Sequence, residues 1–211
     1  MKSSKFDNKL ATELGLNDKE ISILKKLNSP IKIQDYLQNT PANLEKVEET
    51  LMSPRLTLKS GICHCLEGAL LAALALWLHG HKPLLVDMKG KRGDFDHVIC
   101  VFRINDYWGA ISKTNHSVIR YRDPIYRDIR ELVISYFHEY TKDGIKTLYS
   151  YSEPLDLSKI DKTWVISEKN LWYIDKLLNK SNHFKIVPNK KTKLRKSDPI
   201  EIDAGDLVEY K

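Results

Sequence analysis

Apolar residues along this chain gather in short runs divided by polar, glycine- and proline-bearing stretches, and the spacing inside each run sorts helices from strands. The N-terminal part is polar with helical spacing. Asn17-Asp18 forms a cap ahead of a helix from Glu20 to Leu27, and Ser29-Pro30 opens a second through Leu37. Asn39-Thr40-Pro41 and Ser53-Pro54 read as loops. The densest apolar stretch, Leu66 to Leu78, lies within a helix from Cys65 to His79 that stops at Gly80. Pro83 to Asp87 reads as a strand, and His97 to Phe102, nearly all apolar and β-branched, as a strand covered on both faces. Asn105-Asp106 makes a two-residue turn into a partner strand from Tyr107 to Ser112. A loop through Asp123-Pro124 leads to a helix from Arg127 to Tyr140, with Ile129, Leu132, Val133, Tyr136 and Phe137 on one side. Asn170 to Leu178 predicts another helix, and the last twenty or so residues an edge strand or an unpacked tail.

A length of 211 residues suits one structural domain. Within it, 1–50 is a helical lead-in packed on the core, 51–180 the central unit and 181–211 a basic extension. The first residues, Met1-Lys2-Ser3-Ser4-Lys5, are simply polar, so no export signal is expected. Leu66 to Leu78 is shorter than the roughly 20 residues that cross a bilayer, so no membrane span is expected. Cys63, Cys65 and Cys100 are an odd number of cysteines, which predicts free thiols in a reducing, cytoplasmic compartment. Net charge is +6, and the one dense basic run is Lys190, Lys191, Lys193, Arg195 and Lys196. No aromatic residue interleaves with it, so it reads as a solvated face and not as a nucleic-acid footprint. No nucleotide loop, dinucleotide fingerprint or metalloprotease helix is present, and no organic cofactor is implied.

The chemistry concentrates where a loop carrying cysteines runs into the apolar helix. A thiol with an ordinary pKa of about 8.5 is reactive only as thiolate, a form that a helix N-terminus and a nearby imidazole both favour. Helix spacing favours Cys65 over Cys63 as the nucleophile: beneath it lie Gly68, Ala69, Ala72 and Ala73, small residues over which a sheet can approach closely. Strand parity places the second partner. With Ile104 opposite Tyr107, His97 shares a face with Ile99, Val101, Trp108, Ala110 and Ser112, so Ser112 is its diagonal neighbour and Cys100 faces the other way, into the core. Glu67 would raise the pKa of a thiol it faced and reads instead as a cap on the helix or a loop amide. Zinc binding by Cys63, His64 and Cys65 with Cys100 or His97 is disfavoured, because adjacent ligands rarely close a tetrahedron.

Gly61-Ile62-Cys63-His64-Cys65-Leu66-Glu67-Gly68-Ala69, then Gly80, then Asp96-His97-Val98-Ile99-Cys100-Val101 and a strand around Trp108 resemble the transglutaminase-like superfamily of cysteine acyl-transfer enzymes over residues 55–125. The pattern most resembles a group of uncharacterised bacterial proteins within it. The resemblance implies an α+β fold with a papain-like core, a central helix packed on an antiparallel sheet. It puts Cys65 at the nucleophile and His97 at the base. Ser112 stands where the family carries an aspartate, and Asn115 is an alternative orienter of the imidazole, whereas Asp123 lies farther along the loop. The implied activity is hydrolysis or transfer of an acyl group from a peptide, protein or small amide, without cofactor or metal. The alternative is a catalytically inactive binding or scaffold module in which Ser112 records a decayed triad.

Overall fold

The computed structural model describes residues 5–45, 48–91, 93–187 and 192–210. Lys190 and Lys191 of the basic run lie outside them. Three short helices lead in: α1 (Asn8–Glu13), α2 (Asp18–Lys26) and α3 (Pro30–Gln38). Asn17 and Glu20 form a reciprocal capping box on α2, and Ser29 with Pro30 starts α3, so both predicted starts hold. The next helix, α4 (Pro54–Ser60), falls where the sequence reads as a loop. Ser53 is its N-cap, accepting from the Leu56 amide at 3.2 Å, and Pro54 is its first residue. The dipeptide that signals a turn also signals a helix start.

The central helix, α5 (Cys65–Leu78), is apolar all round, and twelve of its fourteen residues are buried. A helix with no polar face must be enclosed, and the lead-in encloses it. Ala11, Leu24, Ile33 and Leu37 share one cluster with Leu70, Leu71, Leu74 and Leu78. Hydrogen bonds from the Asp7 amide to the Leu78 carbonyl (2.8 Å) and between His79 Nε2 and the Leu24 carbonyl (3.0 Å) tie the lead-in to the far end of α5.

Strands β1 (Leu84–Lys89), β2 (His97–Ile104) and β3 (Tyr107–Ile111) form an antiparallel meander. Asn105 and Asp106, both with positive φ, make the β2–β3 turn, and Ile104 pairs with Tyr107, which is the expected register. β4 (Arg122–Tyr126) is a strand where the sequence predicts a loop, and it holds Pro124 at the sheet edge, where a missing N–H breaks no ladder. α6 (Ile129–Ile134) is shorter than the predicted helix. The Ser135 hydroxyl takes the Leu132 carbonyl at 2.6 Å, and the chain tightens into turns with three-residue hydrogen bonds. The short hairpin β5 (Thr141–Lys142) and β6 (Ile145–Lys146) follows, then β7 (Ser150–Ser152) and β8 (Leu155–Asp156). α7 (Trp172–Lys180), β9 (His183–Lys185) and α8 (Pro199–Asp206) complete the described chain.

The main sheet runs β4-β3-β2-β1-β7-β9, with β8 also on β1, and every pairing is antiparallel. One face, with Leu85, Val98, Cys100, Phe102 and Ile111, packs on α5. The other, with Val86, Met88, Ile99, Val101 and Ala110, is covered by Leu132, Val133, Tyr136 and Tyr140. β2 is thus buried on both sides, as its composition predicts. The last twenty or so residues are neither an edge strand nor an unpacked tail: they form α8, and the chain after it pairs with the loop at Asn115 to Ser117, while β9 before them extends the sheet. Among the described residues no helix is long and apolar enough to cross a membrane.

Candidate functional site

The first turn of α5 is built by its neighbours. His64 is the N-cap and Cys65 the first helical residue. Three residues after His64, Glu67 is fully buried and its carboxylate accepts from the Thr50 hydroxyl (2.7 Å), the Met52 amide (2.9 Å) and the His64 amide (3.0 Å). It ties the preceding loop to the helix start, the capping role its position predicts. Gly68 lets β3's continuation cross the helix: a Cβ there would lie 2.7 Å from Lys113 Cβ. Buried Lys113 runs on to donate to the carbonyls of Leu37 and Thr40 at the end of α3. Burial of that ammonium lowers its pKa.

Cys65 lies between two imidazoles. Burial pushes its thiol pKa up, but hydrogen bonds and positive charge from His64 and His97 outweigh this and hold it at about 5. His64 moves the opposite way: burial lowers its pKa, yet the Cys65 thiolate, the Glu67 carboxylate and the Thr50 carbonyl bring it to about 9. The other thiols differ in kind. Burial pushes Cys63 to about 12, and Cys100 upward as well, with no imidazole to offset it. All three are free, and Cys65 alone is partly exposed. The preference for Cys65 over Cys63 therefore has an electrostatic basis as well as a positional one.

His64 is engaged through both ring nitrogens. Nδ1 accepts from the Leu66 amide at 3.2 Å while Nε2 sits 2.9 Å from the Thr50 carbonyl, the arrangement of a neutral ring protonated at Nε2. Once the ring is charged, Nδ1 carries a proton and no longer accepts from Leu66. Charging His64 trades a helix cap for an ion pair.

His97 opens β2, held in place by the pairing of Met88 with His97 across β1. Its Nε2 is 2.8 Å from Ser112 Oγ, the diagonal contact that the register predicts. Ser112 donates its own proton to the Ile119 carbonyl at 2.6 Å, so it accepts from His97, and the imidazole is protonated at Nε2. Nδ1 is left for the sulfur. Gln34 of α3 clamps the Ser112 backbone from both sides, its amide donating to the carbonyl at 2.9 Å and accepting from the N–H at 3.0 Å. Nothing in the sequence marks Gln34 for this role, since a side chain on a polar helix face has no local signature of the strand it meets.

Asn115 does not orient the imidazole. Its amide is engaged by the backbone of Tyr210, Nδ2 donating to the carbonyl and Oδ1 accepting from the N–H, each at 2.8 Å. β3 ends before it, and the C-terminal segment occupies it. Asp123 sits on β4 and is likewise no partner of His97 among the hydrogen bonds of the described residues. No group of three or more His, Cys, Asp or Glu side chains is placed to hold a metal ion among the described residues.

Two hollows flank the pair. On the cysteine side a cleft of about 190 Å³ is lined by His64, Cys65, Asp87, Lys89, Asp96 and Trp172 among others. On the histidine side one of about 400 Å³ is lined by Asp96, His97, His116 and Tyr140. The buried Tyr140 hydroxyl there makes no hydrogen bond, and the Cys65 thiolate helps, after burial, to push its pKa well up. No protein-family model matches the chain, and no curated protein matches it.

Proposed function

We propose that this protein is a cysteine-dependent acyl-transfer enzyme, an amide or peptide hydrolase or a transglutaminase-like transferase, built on a papain-like core. The observation that carries the reading is the arrangement at Cys65: a thiol at a helix N-terminus, held as thiolate by two imidazoles, one of them fixed through Nε2 by Ser112. The motif resemblance around Cys65 and His97 points the same way. The three free thiols favour a reducing, cytoplasmic setting.

In this reading the Cys65 thiol gives its proton to His97 Nδ1, and the thiolate attacks the carbonyl carbon of an amide of a peptide, protein or small molecule. The carbonyl π pair moves onto oxygen, and the charge is met by the Cys65 amide, which at the first helical position has no intrahelical acceptor. The Tyr140 hydroxyl is the second donor this reading assigns. Collapse expels the amine, protonated by His97 at Nδ1, and leaves a thioester. His97 then takes a proton from water or an incoming amine, which attacks the thioester and regenerates the thiolate. Ser112 holds the ring in one tautomer throughout, as a neutral partner weaker than a carboxylate.

The test is alkylation by iodoacetamide, with peptide mapping, in the wild type, Cys65→Ala and His97→Ala. Rapid labelling of Cys65 at about pH 6, slowed by His97→Ala, is expected of a thiolate paired with an imidazole. Labelling of Cys65 only after unfolding would overturn the enzyme reading in favour of a binding or scaffold module.

A further inference from the structure

The cleft beside Cys65 has the opposite sign to the molecule that carries it. The chain has a net charge of +6, yet the lining of this cleft holds five carboxylates, Glu45, Glu49, Asp87, Asp96 and Asp175, against the single ammonium of Lys89 and the ring of His64. Lys89 is already committed, its Nζ 2.9 Å from Asp87 Oδ2, 2.6 Å from Asp96 Oδ2 and 2.7 Å from Asn179 Oδ1. Clustered acids alone are a common surface feature. Asp87 is different: it is 2% exposed, it lines the cleft, and its Oδ1 accepts no hydrogen bond. Its other oxygen takes Lys89 and, at 3.3 Å, His183 Nε2. A buried carboxylate oxygen without a donor costs free energy, which a donor entering from the cleft would recover. Trp172, 40% exposed, offers an aromatic face at the same cleft.

We propose that this cleft binds a basic side chain, a guanidinium or an ammonium, belonging to the acyl-donating substrate, next to the amide that Cys65 attacks. The inference rests on the acyl-transfer reading of Cys65. The cation is a recognition element and not the attacking amine. An amine attacks only when neutral, and surrounding carboxylates favour its charged form, so this cleft would disable a nucleophile while holding a permanent cation well. A guanidinium fits best: its donors reach several carboxylate oxygens at once, and its plane stacks on indole.

The experiment compares the rates at which Cys65 of the intact protein forms mixed disulfides with three methanethiosulfonates. They are trimethylammonioethyl (cationic), sulfonatoethyl (anionic) and methyl (neutral), each thiolate displacing methanesulfinate. Glutathione is the reference thiol. At low salt the cation-to-anion rate ratio at Cys65 is expected to exceed that of glutathione by about a hundredfold, as two or three uncompensated charges within a nanometre would give. Salt at about half molar shrinks it. Asp175→Asn combined with Glu49→Gln cuts the ratio by about tenfold, and Asp87→Asn cuts it further. Glu13→Gln, on α1 and lining neither hollow, leaves it unchanged. A ratio equal to that of glutathione, or one indifferent to the cleft substitutions, overturns the substrate assignment while fast reaction with the neutral reagent keeps the thiolate reading. Failure of Cys65 to react with any of the three overturns both.

Discussion

Ser112 accepts a hydrogen bond from His97 Nε2 at 2.8 Å while giving its own proton to the Ile119 carbonyl. The direction of the first bond is thereby set by the second. A hydroxyl that could rotate freely would leave the imidazole tautomer open; one whose proton is committed does not.

Ser112→Ala is therefore expected to release the ring and slow Cys65 alkylation at about pH 6 by roughly tenfold, the value of one hydrogen bond to a charged group. Ser112→Asn, which can accept through Oδ1, should recover part of the loss. Thermal melts of both variants separate this effect from unfolding.

The paired shifts at Cys65 and His64 define a pH window. A thiol whose pKa falls on folding, from 9.0 to about 5, contributes stability that is complete above the unfolded value and lost as pH falls through about 5. An imidazole whose pKa rises, from 6.5 to about 9, contributes stability that is complete below 6.5 and lost as pH rises through about 9. Between 6.5 and 9 the growing thiol contribution and the declining imidazole contribution offset each other. Denaturant titrations of wild type against Cys65→Ser should show a stability difference that rises from about pH 5 to 6.5 and is flat above. A difference that falls across the acid range would contradict the ion pair.

Glu67→Ala buries no acceptor in place of its carboxylate and strands three half-buried donors at once, the Thr50 hydroxyl and the amides of Met52 and His64. A loss of about 3–5 kcal/mol in urea unfolding is expected, as for breaking a buried polar network. Glu67→Gln keeps the acceptor atom and should cost about 1–2 kcal/mol.

Gly68→Ala would raise helix propensity by about 1 kcal/mol in an open helix. Here its Cβ meets Lys113 Cβ at 2.7 Å, close to the backbone where no side-chain torsion can relieve it. A net destabilisation of about 1–3 kcal/mol is expected. It should come with slower Cys65 alkylation, because the displaced segment carries Ser112.

What the sequence made legible was local. Asn17 with Glu20, Ser29 with Pro30, and Gly80 after α5 are signals whose physics lies within a few residues, and each element sits where they place it. The β2–β3 turn was legible for the same reason, and with it the diagonal approach of Ser112 to His97. Contacts between distant segments were not. Tyr210 takes Asn115, Gln34 takes the Ser112 backbone, and His183 reaches Asp87 from β9, across separations that leave no periodic trace. Ser53-Pro54 failed for another reason: one dipeptide serves two structures, and the choice falls to the packing of the helix that follows. His64 carries a local signal for two roles, since it stands next to Cys65 and at the N-cap of α5.

Asp96 borders both hollows, and the next residue is His97. In the proposed reaction one peptide bond therefore divides a connection that lines both hollows from the strand that carries His97. The β1–β2 connection, with Phe95 85% exposed, can change length or composition and remodel both walls together. The ladder from Met88 to His97 keeps the imidazole in register meanwhile. If the acyl-transfer proposal holds, such a division makes this loop the place where new specificities can be grafted without retuning the reaction.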